Sequence, residues 1–401
     1  MKAVLLAAGK GERLHPITET RPKPLVPILD KPLLLWHVEN LQRVADELYV
    51  VVRSQDKEMV SSLLNGYNVH VIEQKDGIGG TATAFSSLPT MEDFILVYGD
   101  VFYNPSLLQK LANFDNAIVG KEVNNPSEFG VLSINDSFLL SIIEKPENPP
   151  SRLINAGIYK LSKQIFYYVD KISPSSRGEM EFTDVVNTAV KDGLKMEVIK
   201  YDDFWIDIGK PWHVIEANRL ALERIETRID GEIENNVIIK GKVVIEKGAV
   251  VKSGTYIEGP VYIGKNSVIG PHSYLREGTV MGSGTKAGAS VEIKGSVIME
   301  GTKVPHLSYV GDSVICEDVN LGAGTLIANL RFDENDVKMS IKGKMETSGR
   351  KKLGTIIGGH ARTGINVTIL PGVKIGSYAR IYPGAIVNRD VQKGEFFKPW
   401  P

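Results

Sequence analysis

The sequence predicts two structural classes in one chain, a Rossmann-like α/β domain followed by a C-terminal parallel β-helix of hexapeptide repeats. Up to about residue 210, apolar runs alternate with helical patterns. From about residue 233 onward, an aliphatic or small apolar residue falls at every sixth position. This period matches neither an α-helix nor an ordinary strand, so it indicates a coil with flat sides and one inward residue per side. The part before about residue 230 must therefore be a separate unit with its own chemistry.

The N-terminal unit shows a βαβ progression. Such a progression predicts a largely parallel sheet, whose ligands bind beyond the carboxyl ends of the strands. Ligand-binding residues are therefore expected in the loops at those ends. The predicted strands are residues 3–7, 48–52, 69–72, 94–98 and 117–119, and the predicted helices are residues 33–44, 56–64, 81–88 and 105–114.

The six-residue pattern sets the predicted domains, which are residues 1–210, an amphipathic connecting helix at 211–232, and the β-helix at 233–401. The inward positions run from Ile233 to Met299 and restart at Ile315. The pattern is predicted to be interrupted at Pro305 and His306, where a pure scaffold would keep an aliphatic residue. It disappears again in a basic inserted loop at 328–352.

The composition argues against several classes of protein. The 401 residues include 47 basic and 48 acidic side chains, a net charge of -1, so no long-range attraction to nucleic acid or to an anionic membrane is expected. The single cysteine, Cys316, excludes an internal disulfide and a cysteine metal cluster, and a buried thiol is predicted. The chain shows neither a charged leader nor a long apolar run, so we expect a cytoplasmic protein without nucleic-acid or membrane partners.

The first loop has the composition of a phosphate site. Gly9 and Gly11 let backbone amides approach a phosphate closely, and Arg13 and Lys23 can supply positive charge. A dinucleotide fingerprint is disfavoured because Leu14 stands where its third glycine would be, and no Gly-Lys-Ser or Gly-Lys-Thr of a Walker loop follows. An ordinary strand-to-helix turn remains the alternative.

The motif Leu-Ala-Ala-Gly-x-Gly-x-Arg, followed by Arg-Pro-Lys-Pro-Leu, resembles the signature of sugar-1-phosphate nucleotidylyltransferases. The resemblance covers about the first 220 residues. It implies that the oxygen of a sugar-1-phosphate attacks the α-phosphorus of UTP or dTTP and releases pyrophosphate, with Mg²⁺ as cofactor. Further pieces follow in that family's order, at Gln74, 79–82, 98–100, 128–130, 144–146, 155–157 and 205–207.

The resemblance also implies roles for individual residues. Arg13 and Lys23 would be catalytic, steadying the triphosphate and the transition state. Asp100 and Asp207 would hold Mg²⁺, because hard oxygen ligands suit this ion; turn or cap aspartates are the alternative. The implied nucleotide-binding residues are Ala8, Gly9, Gly11, Arg13, Lys23, Gln74, Gly79, Gly80 and Thr81, and the implied sugar-phosphate residues are Tyr98, Gly130, Glu144, Lys145, Asn155 and Gly157.

The β-helical half resembles the acetyltransferase half of the bifunctional bacterial enzymes that make UDP-N-acetylglucosamine, which implies a left-handed coil and acetyl-CoA as co-substrate. His306 is the candidate general base for the sugar amine, because an imidazole titrates near neutrality. Lys338, in the inserted loop, would reach CoA or sugar phosphates, although the loop could equally be solvated. The other implied residues are Arg276 and Lys294 for the phosphate, Tyr309, Asn320 and Asn329 for the amino sugar, and Ala323 for acetyl-CoA.

We therefore expect a bifunctional enzyme that acetylates an amino-sugar-1-phosphate and transfers a nucleotidyl group to a sugar-1-phosphate. The main alternative is a monofunctional glucose-1-phosphate thymidylyltransferase whose β-helix serves only assembly, and a non-catalytic regulatory subunit is the second. The sequence does not choose between glucosamine and galactosamine acceptors, or between UTP and dTTP. Coils of this kind pack side by side, so a homotrimer with sites between neighbours is expected.

Overall fold

The computed structural model describes residues 1–75, 77–175 and 177–398. Their contacts group into two units. The first consists of Met1–Lys10 and Leu33–Asp207, and the second of Gly11–Pro32 and the chain from Ile208 onward. The segment Gly11–Pro32, which the sequence analysis places in the N-terminal domain, thus packs with the C-terminal half. Arg13 and Lys23 therefore lie in the second unit, whereas Asp100 and Asp207 lie in the first.

The α-helices are short, and within the described residues none has both the length and the apolar character needed to cross a membrane. They are α1 (Leu33–Leu41), α2 (Lys57–Leu63), α3 (Thr81–Ser86), α4 (Ser106–Leu111), α5 (Phe182–Lys191) and α6 (Pro211–Leu222). The strands up to residue 207 are β1 (Lys2–Leu6), β2 (Pro27–Ile28), β3 (Lys31–Pro32), β4 (Glu47–Val52), β5 (Val69–Glu73), β6 (Phe94–Tyr98), β7 (Val101–Tyr103), β8 (Ala117–Glu122), β9 (Gly130–Asn135), β10 (Phe138–Glu144), β11 (Leu153–Leu161), β12 (Glu197–Tyr201) and β13 (Trp205–Asp207).

The first unit is built on a mixed sheet in the order β5-β4-β1-β6-β11-β8-β12-β10-β9. The strands β5, β4, β1 and β6 are parallel, which confirms the predicted βαβ progression. The central residues of β4, β1 and β6 are fully buried because helices cover both faces of a parallel sheet, whereas the edge strand β5 is only partly buried. Strand β11 then joins β6 in antiparallel pairing and begins the half of the sheet that carries the predicted sugar-phosphate residues.

The second unit contains the coil. Each turn contributes short strands to three faces, and every pairing between successive turns in these faces is parallel. The strands are β14 (Arg228–Ile229), β15 (Glu232–Ile233), β16 (Ile238–Lys240), β17 (Val243–Ile245), β18 (Val250–Val251), β19 (Tyr256–Glu258), β20 (Val261–Ile263), β21 (Val268–Ile269), β22 (Tyr274–Leu275), β23 (Thr279–Met281), β24 (Lys286–Ala289), β25 (Glu292–Lys294), β26 (Val297–Ile298), β27 (Lys303–His306), β28 (Tyr309–Gly311), β29 (Val314–Ile315), β30 (Leu326–Ile327), β31 (Lys338–Ile341), β32 (Lys344–Thr347), β33 (Ile356–Ile357), β34 (Arg362–Thr363), β35 (Thr368–Ile369), β36 (Lys374–Ile375), β37 (Arg380–Ile381), β38 (Ile386–Val387) and β39 (Phe396–Phe397).

One inward residue per strand forms a continuous buried column, as the six-residue pattern predicts. The exact register was wrong at one place. Ile298, rather than the predicted Met299, joins the column and pairs with Ile315 of the next turn. The step from Ile293 to Ile298 is five residues instead of six, and so is the step from Val310 to Ile315. The inward positions between these two short corners are therefore shifted by one, and the predicted register returns at Ile315.

The same shift overturns the predicted interruption. With the shortened corner, Val304 occupies the inward position and is fully buried. Pro305 then follows it along β27, and His306 ends that strand with an exposed side chain. The hydrophobic column therefore continues past His306, and this residue stands on the outside of an intact coil.

The inserted loop is an ordered hairpin. Strands β31 and β32 pair antiparallel with Ile341 opposite Lys344, and the two turn residues between them, Lys342 and Gly343, both have positive φ. This is the conformation of the favoured two-residue hairpin turn. Met339 is fully buried, so the hairpin has a packed face and is not merely a solvated loop.

Candidate active sites

The loops after β1 and β6 lie side by side at the carboxyl edge of the sheet. The backbone nitrogen of Gly99 donates a 2.8 Å hydrogen bond to the carbonyl of Leu6. A Cβ at Gly99 would lie 3.0 Å from the Cβ of Ala7, so only a glycine permits this approach without displacement. The predicted residues Ala8 and Gly9 follow directly, and the edge therefore has the small, open character that a phosphate-binding loop requires.

The turn at 79–81, predicted to face the nucleotide, is fixed by the residues before α5. Gly80 has φ +131°, and a Cβ there would meet the carbonyl oxygen of Met180 at 2.3 Å. The hydroxyl of Thr81 accepts a 2.9 Å hydrogen bond from the backbone nitrogen of Phe182. Gln74, which follows β5, lies at the same carboxyl edge as the β1 loop. The predicted nucleotide residues of this unit thus share one edge of its sheet.

Residues of the predicted sugar-phosphate group lie together on β9, β10 and β11. A Cβ at Gly130 would lie 2.9 Å from Oε2 of Glu144, and one at Gly157 would lie 2.7 Å from the ring of Tyr98. The nitrogen of Gly157, whose φ is +72°, donates a 2.9 Å hydrogen bond to Oδ1 of Asn155. The two glycines therefore make room for neighbouring side chains, and the cluster is close enough to surround one small polar ligand.

An arginine that the sequence analysis missed completes this cluster. The Nη2 atom of Arg177 lies 3.2 Å from Oε1 of Glu144 and 2.5 Å from Oε1 of Glu181. Burial raises the pKa of the Glu144 carboxyl, and the Arg177 guanidinium opposes this shift. Lys145 follows, and its backbone nitrogen donates to the carbonyl of Phe129. No periodicity or motif marks Arg177, because it lies in the irregular stretch before α5.

Two tyrosines, the fully buried Tyr159 and the half-buried Tyr98, lie next to this cluster. The two phenol oxygens of Tyr98 and Tyr159 lie 3.4 Å apart, and Nδ2 of Asn155 donates a 2.5 Å hydrogen bond to that of Tyr159. Burial raises the pKa of both phenols, so both hydroxyls stay protonated at neutral pH. They are therefore neutral hydrogen-bonding groups that set the orientation of the Asn155 amide.

Both predicted metal ligands stand at one end of a two-stranded ribbon. Strand β13 pairs antiparallel with β7 and places Asp207 opposite Val101, so Asp100 is the next residue beyond the pair. The indole Nε1 of Trp205 donates a 2.9 Å hydrogen bond to the carbonyl of Ala156, which ties this ribbon to the sugar-phosphate cluster. Within the described residues, no group of three or more His, Cys, Asp or Glu side chains could hold a metal. Two carboxylates fit Mg²⁺, since this ion keeps several waters.

The remaining predicted nucleotide residues lie in the second unit. The hydroxyl of Thr18 donates a 2.7 Å hydrogen bond to the carbonyl of Gly11, and a Cβ at Gly11 would lie 3.2 Å from the Cβ of Lys23. Gly11 has φ +71°, so a glycine is favoured on both counts. Arg13 is exposed and Lys23 is buried. The segment thus folds back on itself and brings Gly11 beside Lys23.

The residues predicted for acetyl transfer lie in two separate places on the coil. His306 and Ala323 occupy the same corner in successive turns, since the nitrogen of Gly324 donates a 3.1 Å hydrogen bond to the carbonyl of His306. Leu307 beside them is exposed. The imidazole at this corner therefore faces outward, next to the backbone predicted to meet acetyl-CoA.

The second place is a polar cluster around Asp312, a residue to which the sequence analysis gave no role. Its Oδ2 accepts a 2.6 Å hydrogen bond from Asn329 and lies 3.4 Å from Nζ of Lys294. Nδ2 of Asn329 also lies 3.2 Å from the phenol oxygen of Tyr309. Burial raises the pKa of the Asp312 carboxyl, and Lys294 opposes the shift. The structure thus brings together three of the predicted substrate residues through a nearly buried carboxylate.

Three other predicted residues lie outside the hydrogen bonds described for this cluster, and of these Arg276 acts on it through its charge, which opposes the burial that raises the pKa of the Tyr309 phenol. Arg276 occupies the turn before Lys294 on the same face and pairs with Glu292 at 3.2 Å. Asn320 forms an isolated bridge with Lys303, on the face that carries His306. Lys338 begins the hairpin and lines a surface cavity together with the residues Arg331, Glu334, Asn335, Asp336, Thr347 and Lys351. The catalytic and binding roles of all these residues remain predictions.

Comparisons with known proteins define the class of each half. The nucleotidyl transferase family model matches residues 2–224, a model of the GMPPB C-terminal domain matches 257–347, and the bacterial transferase hexapeptide model matches 354–389. A crystal structure from Bacillus anthracis, described as that of a candidate glucose-1-phosphate thymidylyltransferase, has a TM-score of 0.50 at 26% identity and covers 57% of this chain and 97% of its own. The chain is thus a sugar nucleotidyltransferase fused to a hexapeptide-repeat transferase.

Full-length relatives identify the family. The bifunctional sugar-1-phosphate nucleotidylyltransferase/acetyltransferase of Sulfurisphaera tokodaii is 57% identical over 99% of this chain and 100% of its own length. The bifunctional protein GlmU of Methanocaldococcus jannaschii is 44% identical over 99% of this chain and 97% of its own. The chain belongs to the family of bifunctional sugar-1-phosphate nucleotidylyltransferase/acetyltransferases. This membership confirms the predicted pair of transferase activities over the monofunctional alternative.

Proposed function

We propose that this chain acetylates glucosamine-1-phosphate, and also galactosamine-1-phosphate, from acetyl-CoA, and that it transfers a nucleotidyl group from UTP or dTTP to sugar-1-phosphates such as N-acetylglucosamine-1-phosphate and glucose-1-phosphate. The observation that carries the proposal is the presence of two separate polar clusters in one chain, around Glu144 and around Asp312. The first cluster contains residues predicted to bind the sugar phosphate in nucleotidyl transfer, and the second contains Lys294, Tyr309 and Asn329, which are predicted to bind the amino-sugar phosphate.

In the first reaction, the cluster of Glu144, Asn155 and Gly157 would bind the sugar phosphate and turn its phosphate oxygen toward the α-phosphorus. Arg13 and Lys23 would bind the triphosphate, because developing charge on the leaving pyrophosphate requires cations. Asp100 and Asp207 would hold Mg²⁺, which would supply further positive charge when bound. Their placement at one end of the β7–β13 ribbon supports this assignment.

In the second reaction, His306 would accept the proton of the sugar amine as the amine attacks the acetyl carbonyl. The carbon–nitrogen bond of the amide forms, the carbon–sulfur bond of acetyl-CoA breaks, and the CoA sulfur takes up a proton and leaves as the free thiol. Lys294 and Arg276 would bind the sugar phosphate, while Tyr309, Asn320 and Asn329 would orient the ring. Ala323, in the turn after His306, would contact acetyl-CoA. Lys338 would supply positive charge to a phosphate, which its position beside Arg331 and Lys351 supports.

The coil would assemble as a homotrimer. Leu326 and Ile386 stand on one face of the coil with their side chains exposed, and Leu307 and Ile365 are exposed at the corner near His306. Packing against neighbouring copies would hide this apolar surface and place the acetyl-transfer sites between subunits. A sedimentation measurement should show a trimer, and an active monomer would contradict the proposal. We further propose that the protein works in the cytoplasm.

The decisive experiment measures both activities on one preparation. Release of free thiol from acetyl-CoA is followed with glucosamine-1-phosphate or galactosamine-1-phosphate, and pyrophosphate release is followed with UTP or dTTP, a sugar-1-phosphate and Mg²⁺. We expect both reactions. The rates with the two amino sugars rank the acceptors, and the rates with UTP and dTTP rank the nucleotides. A protein that releases no thiol with either amino sugar would leave only the nucleotidyl-transfer part of the proposal.

Two variants separate the sites. His306→Ala should lose acetyl transfer and keep nucleotidyl transfer, because the imidazole serves only the sugar amine. Asp100→Ala should keep acetyl transfer and abolish pyrophosphate release in a folded protein. Near-normal pyrophosphate release by the Asp100 variant would remove the metal assignment, and loss of both activities in the His306 variant would contradict two independent sites.

A further inference from the structure

The segment Gly11–Pro32 contains the predicted catalytic residues Arg13 and Lys23. It is attached to the β-helix by ion pairs and hydrogen bonds. Its Arg21 reaches two glutamates of the coil, and its Glu19 accepts a 2.7 Å hydrogen bond from the backbone nitrogen of Ser377. Its Asp30 accepts a 2.5 Å hydrogen bond from the hydroxyl of Ser283. These attachments spread over several turns of the coil. The segment is therefore held along its length by the half of the chain that performs the other reaction.

Arg21 contributes two ion pairs to these attachments. Its Nη2 atom lies 2.5 Å from Oε2 of Glu317 and 2.7 Å from Oε1 of Glu300. The two glutamates belong to successive turns, since the nitrogen of Asp318 donates to the carbonyl of Glu300. The side chains of Arg21 and Glu317 are only 12% and 11% exposed. A charge-assisted contact shielded from water in this way holds its geometry far better than an exposed ion pair does.

A short and stiff piece of backbone connects Arg21 to Lys23. Lys23 stands between Pro22 and Pro24, whose rings fix φ and leave little freedom on either side. The nitrogen of Leu25 donates a 2.9 Å hydrogen bond to the carbonyl of Pro22, which closes the turn. The position of the Arg21 guanidinium therefore determines where the Lys23 backbone lies.

We propose that Arg21 is a positioning residue for nucleotidyl transfer, which acts by fixing Lys23 to the β-helix through Glu300 and Glu317. The inference rests on the proposed role of Lys23 at the triphosphate. It gives the β-helix a second role besides acetyl transfer, and it assigns a role to the arginine of the Arg-Pro-Lys-Pro-Leu motif, for which the sequence alone predicted none.

The test uses Arg21→Gln, Glu317→Gln and the double variant in the full-length protein. The double variant removes both charges together, so it does not leave one buried charge without its partner. Arg389→Gln is the matched control, because Arg389 forms an ion pair with Glu395 at 2.7 Å on the same coil, in an exposed position. For each protein, kcat and KM for the nucleotide are measured by pyrophosphate release, and acetyl transfer is measured on the same sample.

We expect Arg21→Gln and the double variant to lower kcat/KM for the nucleotide at least about tenfold, with acetyl transfer and the Arg389→Gln control within about twofold of the unaltered protein. Because the pair acts as one unit, the double variant should be no worse than Arg21→Gln alone. Unchanged nucleotidyl transfer in a folded Arg21→Gln protein would overturn the inference, as would an equal fall of both activities. Lys23→Ala is run alongside: if it keeps full activity, the proposed role of Lys23 is the part that fails.

Discussion

Lys294 and Asp312 form an ion pair of 3.4 Å in which both side chains are largely buried. The pair joins successive turns of the coil, because Lys294 and Gly311 are partners in the parallel pairing of β25 with β28. Asn329 of the following turn donates to the same carboxylate oxygen. A lysine held in this way keeps its ammonium at a fixed place on the coil, which is what the binding of a sugar phosphate requires.

The first prediction concerns this carboxylate. Asp312→Asn keeps the size of the side chain and removes the charge that orients Lys294 and Asn329. A hydrogen bond to a charged group contributes about 1.5–3 kcal/mol, so we expect acetyl transfer to fall by about 10- to 100-fold. Nucleotidyl transfer should stay within about twofold, which the thiol and pyrophosphate assays check on one sample. Equal acetyl transfer by the variant and the unaltered protein would show that Asp312 has no part in the site.

A second prediction concerns the hairpin. The guanidinium of Arg350 forms an ion pair with Glu216 of α6 and lies 3.7 Å from Oδ1 of Asp312. Burial lowers the pKa of Arg350, as expected for a cation shielded from water. Arg350→Ala should lower the free energy of unfolding by about 1–3 kcal/mol, because Glu216 and Asp312 each lose one of their partners. Denaturant unfolding measures this change.

Arg331→Ala is the control for the hairpin variant. Arg331 pairs with Asp333 at 2.6 Å in an exposed position, and such pairs contribute little to stability. We expect its unfolding free energy to stay within about 0.5 kcal/mol of the unaltered protein. If the two variants have the same free energy of unfolding, the contacts of Arg350 do not stabilise the hairpin.

A third prediction tests the turn before α3. In Gly80→Ala, the new methyl group would meet the Met180 carbonyl at 2.3 Å, and the backbone would keep a φ of +131°. A residue held in such a region costs about 1–3 kcal/mol, so the turn should move. We expect nucleotidyl transfer to fall at least about tenfold and acetyl transfer to remain, since the altered turn belongs to the first unit. Kinetics of both reactions would decide, and a variant with unchanged kcat and KM would mean that the turn does not contact the nucleotide.

The sequence predicted the elements of the first unit and the repeat of the second because both depend on local periodicity. The apolar run at 94–98 and the observed β6 have the same bounds. The spacing could not locate the shortened corner after Ile293, because Ile298 and Met299 are both apolar and both are buried. Only the stacking of successive turns decides which of them enters the column.

In the candidate sites too, some residues could be predicted from the sequence and others could not. Motifs predicted Glu144, Asn155 and Gly157. Glu144 pairs with Gly130 of the neighbouring strand, and the nitrogen of Gly157 donates to Asn155 within β11. Arg177 and Asp312 were missed because their importance comes from partners far away in the sequence or in another turn, and neither occupies a position that a pattern marks. The packing of Gly11–Pro32 against the coil could not be predicted either, because nothing in the sequence around Arg21 indicates the glutamates that it contacts.

The last prediction concerns acid stability at Glu317. Burial alone would raise the pKa of this carboxyl, but Arg21 and hydrogen bonds outweigh that effect and hold the pKa below its ordinary value of 4.5. The charged form is therefore favoured in the folded state, and its stabilising contribution is present above that value and is lost as the pH falls through the folded-state pKa. Glu317→Gln should lower the unfolding midpoint at about pH 7, and the difference from the unaltered protein should shrink at about pH 3.5. A difference in midpoint that stayed constant between these two pH values would show that the Glu317 charge contributes nothing to holding Arg21.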